Sequence, residues 1–351
     1  MINPIYPWQE SAWQQLQQLR ARMPHAILFH GTAGIGKSGF IENFAQALLC
    51  EDVRSDGHAC GACASCGWFS QHNHPDYRRL RPEALEDELP EDESGEADGA
   101  KSGAKSGAKS SKAPSKEIKI EQIRALADFM NISTHRQGLR VVVLYPAEAL
   151  NTPASNALLK TLEEPPPGTV FLLASNSLDR LLPTILSRCR KFALPTPGHE
   201  QALAWLKAQG LADADSWLRE QGGAPLAALA LAEAGNRDDT EALLQLLAHP
   251  TLEGALKTAE KLQKAPLGAL VTTLQRWLYD LFACKLASSV RYFPRHRKEL
   301  AALAATVHVS RLMAALKSAS ERRAIADHPL SPKLFIEDML LDYAACWKEG
   351  Q

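Results

Sequence analysis

The distribution of apolar positions changes character along the chain. In the first 196 residues, short continuous apolar runs alternate with helical patterns. Residues 25–30 (HAILFH) form one run that ends at Gly31, and 141–144 (VVVL) and 170–174 (VFLLA) form two more. Runs this short, bounded by turn residues, read as buried strands. Helical spacing occupies 37–49, 118–130 and 152–162, and the triple proline 165–167 ends the last of these. Strands alternating with helices predict a parallel sheet covered by helices.

Beyond 195–198 (PTPG) the strand signal stops. Residues 199–235 read as short helices around Gly222-Gly223, and from Asp238 onward the pattern is helical throughout. Leu267, Leu270, Val271, Leu274, Trp277, Leu278, Leu281 and Phe282 give one helix a wide apolar face. Such a face is core first, although a domain this rich in apolar faces has surface to spare for subunit contact. The expected layout is an α/β domain over 1–196, a small helical domain over 197–236 and a larger all-α domain over 237–351. Residues 90–116 interrupt the first domain with an acidic block and a Lys-Ser-Gly-Ala repeat that holds no aromatic or branched apolar side chain. Such a segment buries too little surface to offset its ordering entropy and is expected to be a disordered insertion.

Charge narrows the function. The chain carries 39 basic and 40 acidic residues, a formal net charge of −1. A protein that holds DNA by itself usually has a basic excess, so a plain DNA-binding module is disfavoured and any DNA contact is local or shared. No stretch approaches the roughly 18 uninterrupted apolar residues of a membrane span. The first residues, MINPIYPW, lack the basic start and apolar core of a signal peptide, so a cytoplasmic, non-membrane protein is expected. In that compartment seven cysteines point to metal or buried thiols before disulfides.

Two local patterns carry chemistry. Gly31-Thr32-Ala33-Gly34-Ile35-Gly36-Lys37-Ser38 fits G-x-x-x-x-G-K-[ST] between a predicted strand and a predicted helix. Its glycines let backbone N–H groups face a phosphate at a helix N-terminus. Lys37 is then expected to reach the β- and γ-phosphates of ATP or ADP, and Ser38 to ligate magnesium. The strand 141–144 runs into Tyr145-Pro146-Ala147-Glu148, with no Asp at its end to help hold the metal. Glu148 is expected to be solvent-exposed, so the site is expected to hold nucleotide but hydrolyse it poorly. Cys50, Cys60, Cys63 and Cys66 follow the spacing C-x9-C-x2-C-x2-C. Four thiolates complete a tetrahedral zinc shell with no open position, which marks a structural zinc module over about 50–80. His58, His72 and His74 are nearby alternative ligands; Cys189, Cys284 and Cys346 are expected to be packing residues.

Further segments carry a family resemblance. Residues 155–166 (SNALLKTLEEPP) closely resemble the hallmark helix of bacterial clamp-loader subunits, and 186–190 (LSRCR) looks like their Ser-Arg-Cys motif. Residues 328–337 (HPLSPKLFIE) are similar to a C-terminal signature of the delta-prime branch, and the cysteine cluster resembles that of delta-prime and gamma/tau subunits. The resemblance spans nearly the whole chain except 90–116. It implies an AAA+-like α/β P-loop domain with an inserted zinc knuckle, a small helical lid and an all-α oligomerisation collar. It implies that Arg188 is an arginine finger acting in trans on ATP held by a neighbouring gamma/tau subunit, and that Ser175 and Asn176 lie in the γ-phosphate sensor region. Tyr145-Pro146 stands where the motors carry Asp and Glu, and no sensing Arg follows Gly222-Gly223 before Arg237. Both departures favour a non-motor subunit over the alternative, an active gamma/tau-type ATPase. The implied partners are gamma/tau and delta subunits, with the sliding clamp and primed DNA reached through the complex.

Overall fold

A computed structural model describes residues 5–86, 114–131, 134, 138–235, 237–326 and 331–347. Most of the 90–116 segment and the first residues of the 328–337 signature lie outside the described residues. The chain divides into two compact units, 1–196 and 197–351.

Among the described residues the first unit is built on five parallel strands: β1 (Ala26–His30), β2 (Tyr77–Leu80), β3 (Arg140–Leu144), β4 (Thr169–Ser175) and β5 (Arg190–Ala193). Their order is β2-β3-β4-β1-β5. The three expected strands are the three interior ones. They read as continuous apolar runs because helices cover both faces, so every residue of β3 and β4 is buried. Helices α1 (Glu10–Leu19), α2 (Lys37–Leu49), α3 (Ala64–Ser70), α4 (Ile120–Asn131), α5 (Thr152–Glu163) and α6 (Pro183–Arg188) complete the unit. Trp13 of α1, at 1% exposure, meets Phe40 and Phe44 of α2 edge-on and pins that helix from outside the sheet. On the other face Leu158, Leu162 and Ile185 of α5 and α6 join Phe171 and Leu173 of β4 in one apolar cluster.

The parallel register decides where loops emerge. His30 pairs with Ser175, and Leu144 with Leu173. The segments after β1, β3 and β4 therefore leave the sheet side by side at its carboxyl edge, where α/β sheets bind ligands.

The second unit is entirely helical among the described residues. Its first helices, α7 (His199–Ala208), α8 (Ala214–Glu220) and α9 (Pro225–Glu233), enclose Leu206, Trp217 and Leu218. Then follow α10 (Arg237–Ala248), α11 (Leu252–Leu262), α12 (Leu267–Ala287), α13 (Arg297–Thr306), α14 (Val309–Ile325) and α15 (Pro332–Ala345). The apolar stripe of α12 is core: Leu270, Val271, Leu274, Trp277, Leu278 and Leu281 are buried against the surrounding helices. Two polar anchors fix this core. Trp277 Nε1 donates to Tyr343 Oη at 2.8 Å, which donates to Leu247 O at 2.6 Å. Asp280, wholly buried, accepts the backbone N–H groups of Arg291, Tyr292 and Phe293. Among the described residues no single helix is long and apolar enough to cross a membrane.

Candidate functional site

The loop Gly31–Ser38 turns directly off β1 into α2. Gly34 and Gly36 have φ of 78° and 86°, which L side chains rarely adopt, and Gly36 is the N-cap of α2. Gly31 is required for a different reason: a Cβ there would lie 2.3 Å from Leu194 O of the strand-exit segment beside it. The loop is braced from behind by residues that the sequence pattern did not single out. Trp8 Nε1 and Gln9 Nε2 donate to Ile35 O at 3.0 and 2.9 Å, Gln9 also reaches Gly36 O, and the Tyr6 ring stacks on Trp8 beneath Gly36. With its carbonyls tied to this aromatic support, the loop keeps its N–H groups available for an anion.

Lys37, 6% exposed, folds back into this cradle. Its ammonium donates to Gly31 O at 3.0 Å, Thr32 O at 2.7 Å and Asn176 Oδ1 at 2.7 Å, which uses all three N–H donors. A bound phosphate must therefore draw Lys37 away from these acceptors. Burial lowers its pKa to about 8, and the Glu148 carboxylate partly offsets this. Ser38 is exposed on the first turn of α2.

Glu148 is where the structure departs from expectation. It is half-buried rather than solvent-exposed, and both its carboxylate oxygens accept the backbone N–H of Asn176, at 3.0 and 3.2 Å. The short turn after Pro146 carries it across to the end of β4, so the loop does contain a carboxylate, three residues past the tyrosine. Asn176 thus joins Glu148 to Lys37. Ser175, by contrast, is the last residue of β4 rather than the first beyond the strand. Its hydroxyl donates to Ser177 O at 2.9 Å.

Tyr145, at the strand end itself, is committed elsewhere. Its hydroxyl donates to Glu42 Oε1 of α2 at 2.8 Å, and Arg79 of β2 pairs with the same oxygen at 3.2 Å. Burial and the Glu42 charge push its pKa up to about 12, so it stays neutral. This fixes α2 to the sheet and supplies no metal ligand.

Arg188 is the last residue of α6. One Nη donates to Thr184 O at 2.9 Å and the other pairs with Glu163, the last residue of α5.

The four cysteines converge at the opposite end of α2. Cys50 is the C-cap of α2 and Cys63 the N-cap of α3, and the four Sγ atoms all lie within 4.8 Å of one another. Cys50–Cys63 and Cys60–Cys66 are each 3.9 Å apart, close to the roughly 3.8 Å edge of a tetrahedron with 2.3 Å metal–sulfur bonds. Backbone N–H groups of Ala62 and Cys63 point at Cys60 Sγ and lower its pKa to about 6. This cluster could hold a metal ion. Two of the three nearby histidines are engaged elsewhere: His58 stacks on Trp13 at 4.2 Å, and His74 joins Ser65 at 2.8 Å and the Asp76 N–H at 3.0 Å. Cys189 and Cys346 are buried and Cys284 is half-buried, as packing residues should be.

The low Lys37 pKa gives a test. A lysine depressed from 10.5 to about 8 binds fewer protons folded than unfolded between those values, so its contribution to stability rises as pH climbs through that window. Trace acetylation across pH, read peptide by peptide, should give Lys37 a midpoint near 8 while exposed lysines titrate near 10.4. Glu148→Gln should lower that midpoint further, and a Lys37 midpoint with the exposed lysines would contradict the geometry.

The family model described as "DNA polymerase III, delta subunit" matches residues 8–198. DNA polymerase III subunit delta' of Pseudomonas aeruginosa is 37% identical over 291 residues, covering 80% of this chain and 78% of that protein. The Escherichia coli subunit delta' is 32% identical over 255 residues, covering 71% and 67%. Escherichia coli DNA polymerase III subunit tau is 32% identical over 180 residues, which is 51% of this chain but 23% of tau. On this similarity, which runs well past the α/β unit, the chain belongs to the delta' family of DNA polymerase III subunits.

Proposed function

We propose that this chain is the non-motor subunit of a clamp loader, assembling with gamma/tau-type and delta-type subunits to place a sliding clamp on primed DNA. The observation that carries the reading is Tyr145 at the end of β3. The position that needs a metal-holding acid has a neutral phenol bonded to Glu42. Its own P-loop, Gly31, Gly34, Gly36, Lys37 and Ser38, holds ATP or ADP with magnesium and turns it over slowly. Asn176 reports the occupant because it bonds both Lys37 and Glu148. The second helical unit supplies the lid over 197–236 and the oligomerisation collar over 237–351.

Arg188 carries the contribution to catalysis. Phosphoryl transfer spreads charge over the γ-phosphate oxygens, and a fixed guanidinium in trans stabilises it. Arg188 stands on a short surface helix, away from the Lys37 loop of its own chain in sequence and in bonding partners. A gamma/tau-type motor is the second reading, and Glu148 is the observation in its favour, since it sets a carboxylate beside the sensor asparagine.

In a reconstituted loader, Arg188→Ala should leave assembly intact and lower DNA- and clamp-stimulated ATPase partially, because other motor sites keep their own fingers. Clamp loading should fall further than turnover. Arg188→Lys should also be impaired, since it keeps the charge but loses the planar fork. Unchanged ATPase and loading in a complex that contains the variant would return Arg188 to a structural role.

The cysteine cluster is read as a closed structural zinc site that fastens the knuckle to α2. Four sulfur donors suit zinc and leave no position for substrate. Freshly purified protein should carry about one zinc per chain, and Cys63→Ser should lower both zinc content and thermal stability because metal binding is coupled to folding. Metal-free protein with an unaltered melting temperature would contradict this.

A further inference from the structure

Glu163 ends α5 with a carboxylate at the pole of the helix where a negative charge is unfavourable. Pro165, Pro166 and Pro167 follow closely, so the helix cannot run on and carry the charge elsewhere. The position is offset by one partner: Glu163 Oε1 pairs with an Nη of Arg188, 25 residues away in sequence. Both side chains spring from anchored backbone. Leu162 precedes Glu163 at 1% exposure, Ile185 of α6 is wholly buried, and Cys189 just after Arg188 is 8% exposed. The arginine is held at two further points of its own helix, Thr184 O at 2.9 Å and Ser187 Oγ at 3.4 Å.

A guanidinium has five N–H donors in a planar fork. The Thr184 and Ser187 contacts use one Nη and the Glu163 contact uses the other. The Nε–H and one Nη–H make no bond to the described residues, and the side chain is 32% exposed. One edge of the fork is therefore clamped by the protein, while the other keeps its donors unbonded on a part-exposed side chain. A long, rotamer-rich side chain loses its orientational entropy before a ligand arrives, which is how a preorganised donor gains rate.

We propose that Glu163 is a positioning residue for Arg188, clamping the guanidinium so that its outer edge meets the terminal phosphate of ATP held by the neighbouring subunit. The role rests on the reading of Arg188 as a finger in trans. Glu163 touches neither nucleotide nor reacting atoms; it acts only through the arginine. An acceptor oxygen at this place is the requirement, and a formal charge is secondary, so glutamine serves nearly as well as glutamate.

The test is steady-state ATPase of the reconstituted loader with wild type, Arg188→Ala, Glu163→Ala, Glu163→Gln and the Arg188→Ala/Glu163→Ala double variant, each checked for assembly and melting temperature. Glu163→Ala should remove about half or more of the kcat that Arg188→Ala removes, as a misoriented catalytic group does, with KM for ATP little changed. Glu163→Gln should restore kcat, and the double variant should match Arg188→Ala alone. A purely structural role predicts instead a lower melting temperature or poorer assembly and a double variant worse than either single one, and that result overturns the proposal. A rise in kcat with Glu163→Ala overturns it as well, because the carboxylate would then be restraining the finger. If Arg188→Ala lowers kcat and Glu163→Ala leaves it at the wild-type value, only the positioning role falls. If Arg188→Ala itself changes nothing, the finger reading falls and takes the positioning role with it.

Discussion

The register of β1 against β4 is the constraint on which the site depends. Because His30 lies opposite Ser175, the glycine loop and Asn176 leave the sheet as neighbours, and a 2.7 Å bond joins Lys37 to Asn176. A slip of one residue would turn every side chain of an interior strand to the other face and separate that pair. The register is strongly specified because both faces of these strands are buried; Ile27, Leu28, Leu172 and Leu173 each have at most 1% exposure. Apolar packing thus sets the geometry of a polar site that contributes little to the core.

Polar groups at the carboxyl edge are satisfied within the chain. Lys37 is bonded to its own loop, Glu148 to Asn176, and Tyr145 to Glu42. A nucleotide entering this site must displace contacts already made, which favours a resting, slowly responding loop over a cycling one. Arg188 differs in that its side chain is 32% exposed and its guanidinium keeps donors that bond none of the described residues. The two features agree with a subunit whose catalytic group serves a neighbour while its own loop stays quiet.

Much of this was legible in the sequence, and the gaps have physical causes. The interior strands, the glycine loop and the cysteine cluster are local patterns, and local spacing suffices to find them. The edge strands carry no such pattern. In β2 (Tyr-Arg-Arg-Leu) and β5 (Arg-Lys-Phe-Ala) only part of each strand is buried, so no apolar run forms. Helix α1 does not stand out in local spacing either, although Trp13 and Leu16 are among its most buried residues. Glu148 departs from its expected exposure because its position depends on a turn that brings it against a strand end distant in sequence. The Trp8 and Gln9 brace has the same cause, since its bonds span 26 and 27 residues. The sole local hint was a polar Gln9 in an aromatic stretch.

A non-motor subunit does not fire its own site. The direct measurement is nucleotide binding and hydrolysis by the isolated, purified chain, with Lys37→Ala as control. Calorimetry should detect binding of ATP or ADP that Lys37→Ala abolishes, with negligible turnover in either protein. Robust hydrolysis lost on Lys37→Ala would contradict it and make Glu148 a working acid in a motor subunit.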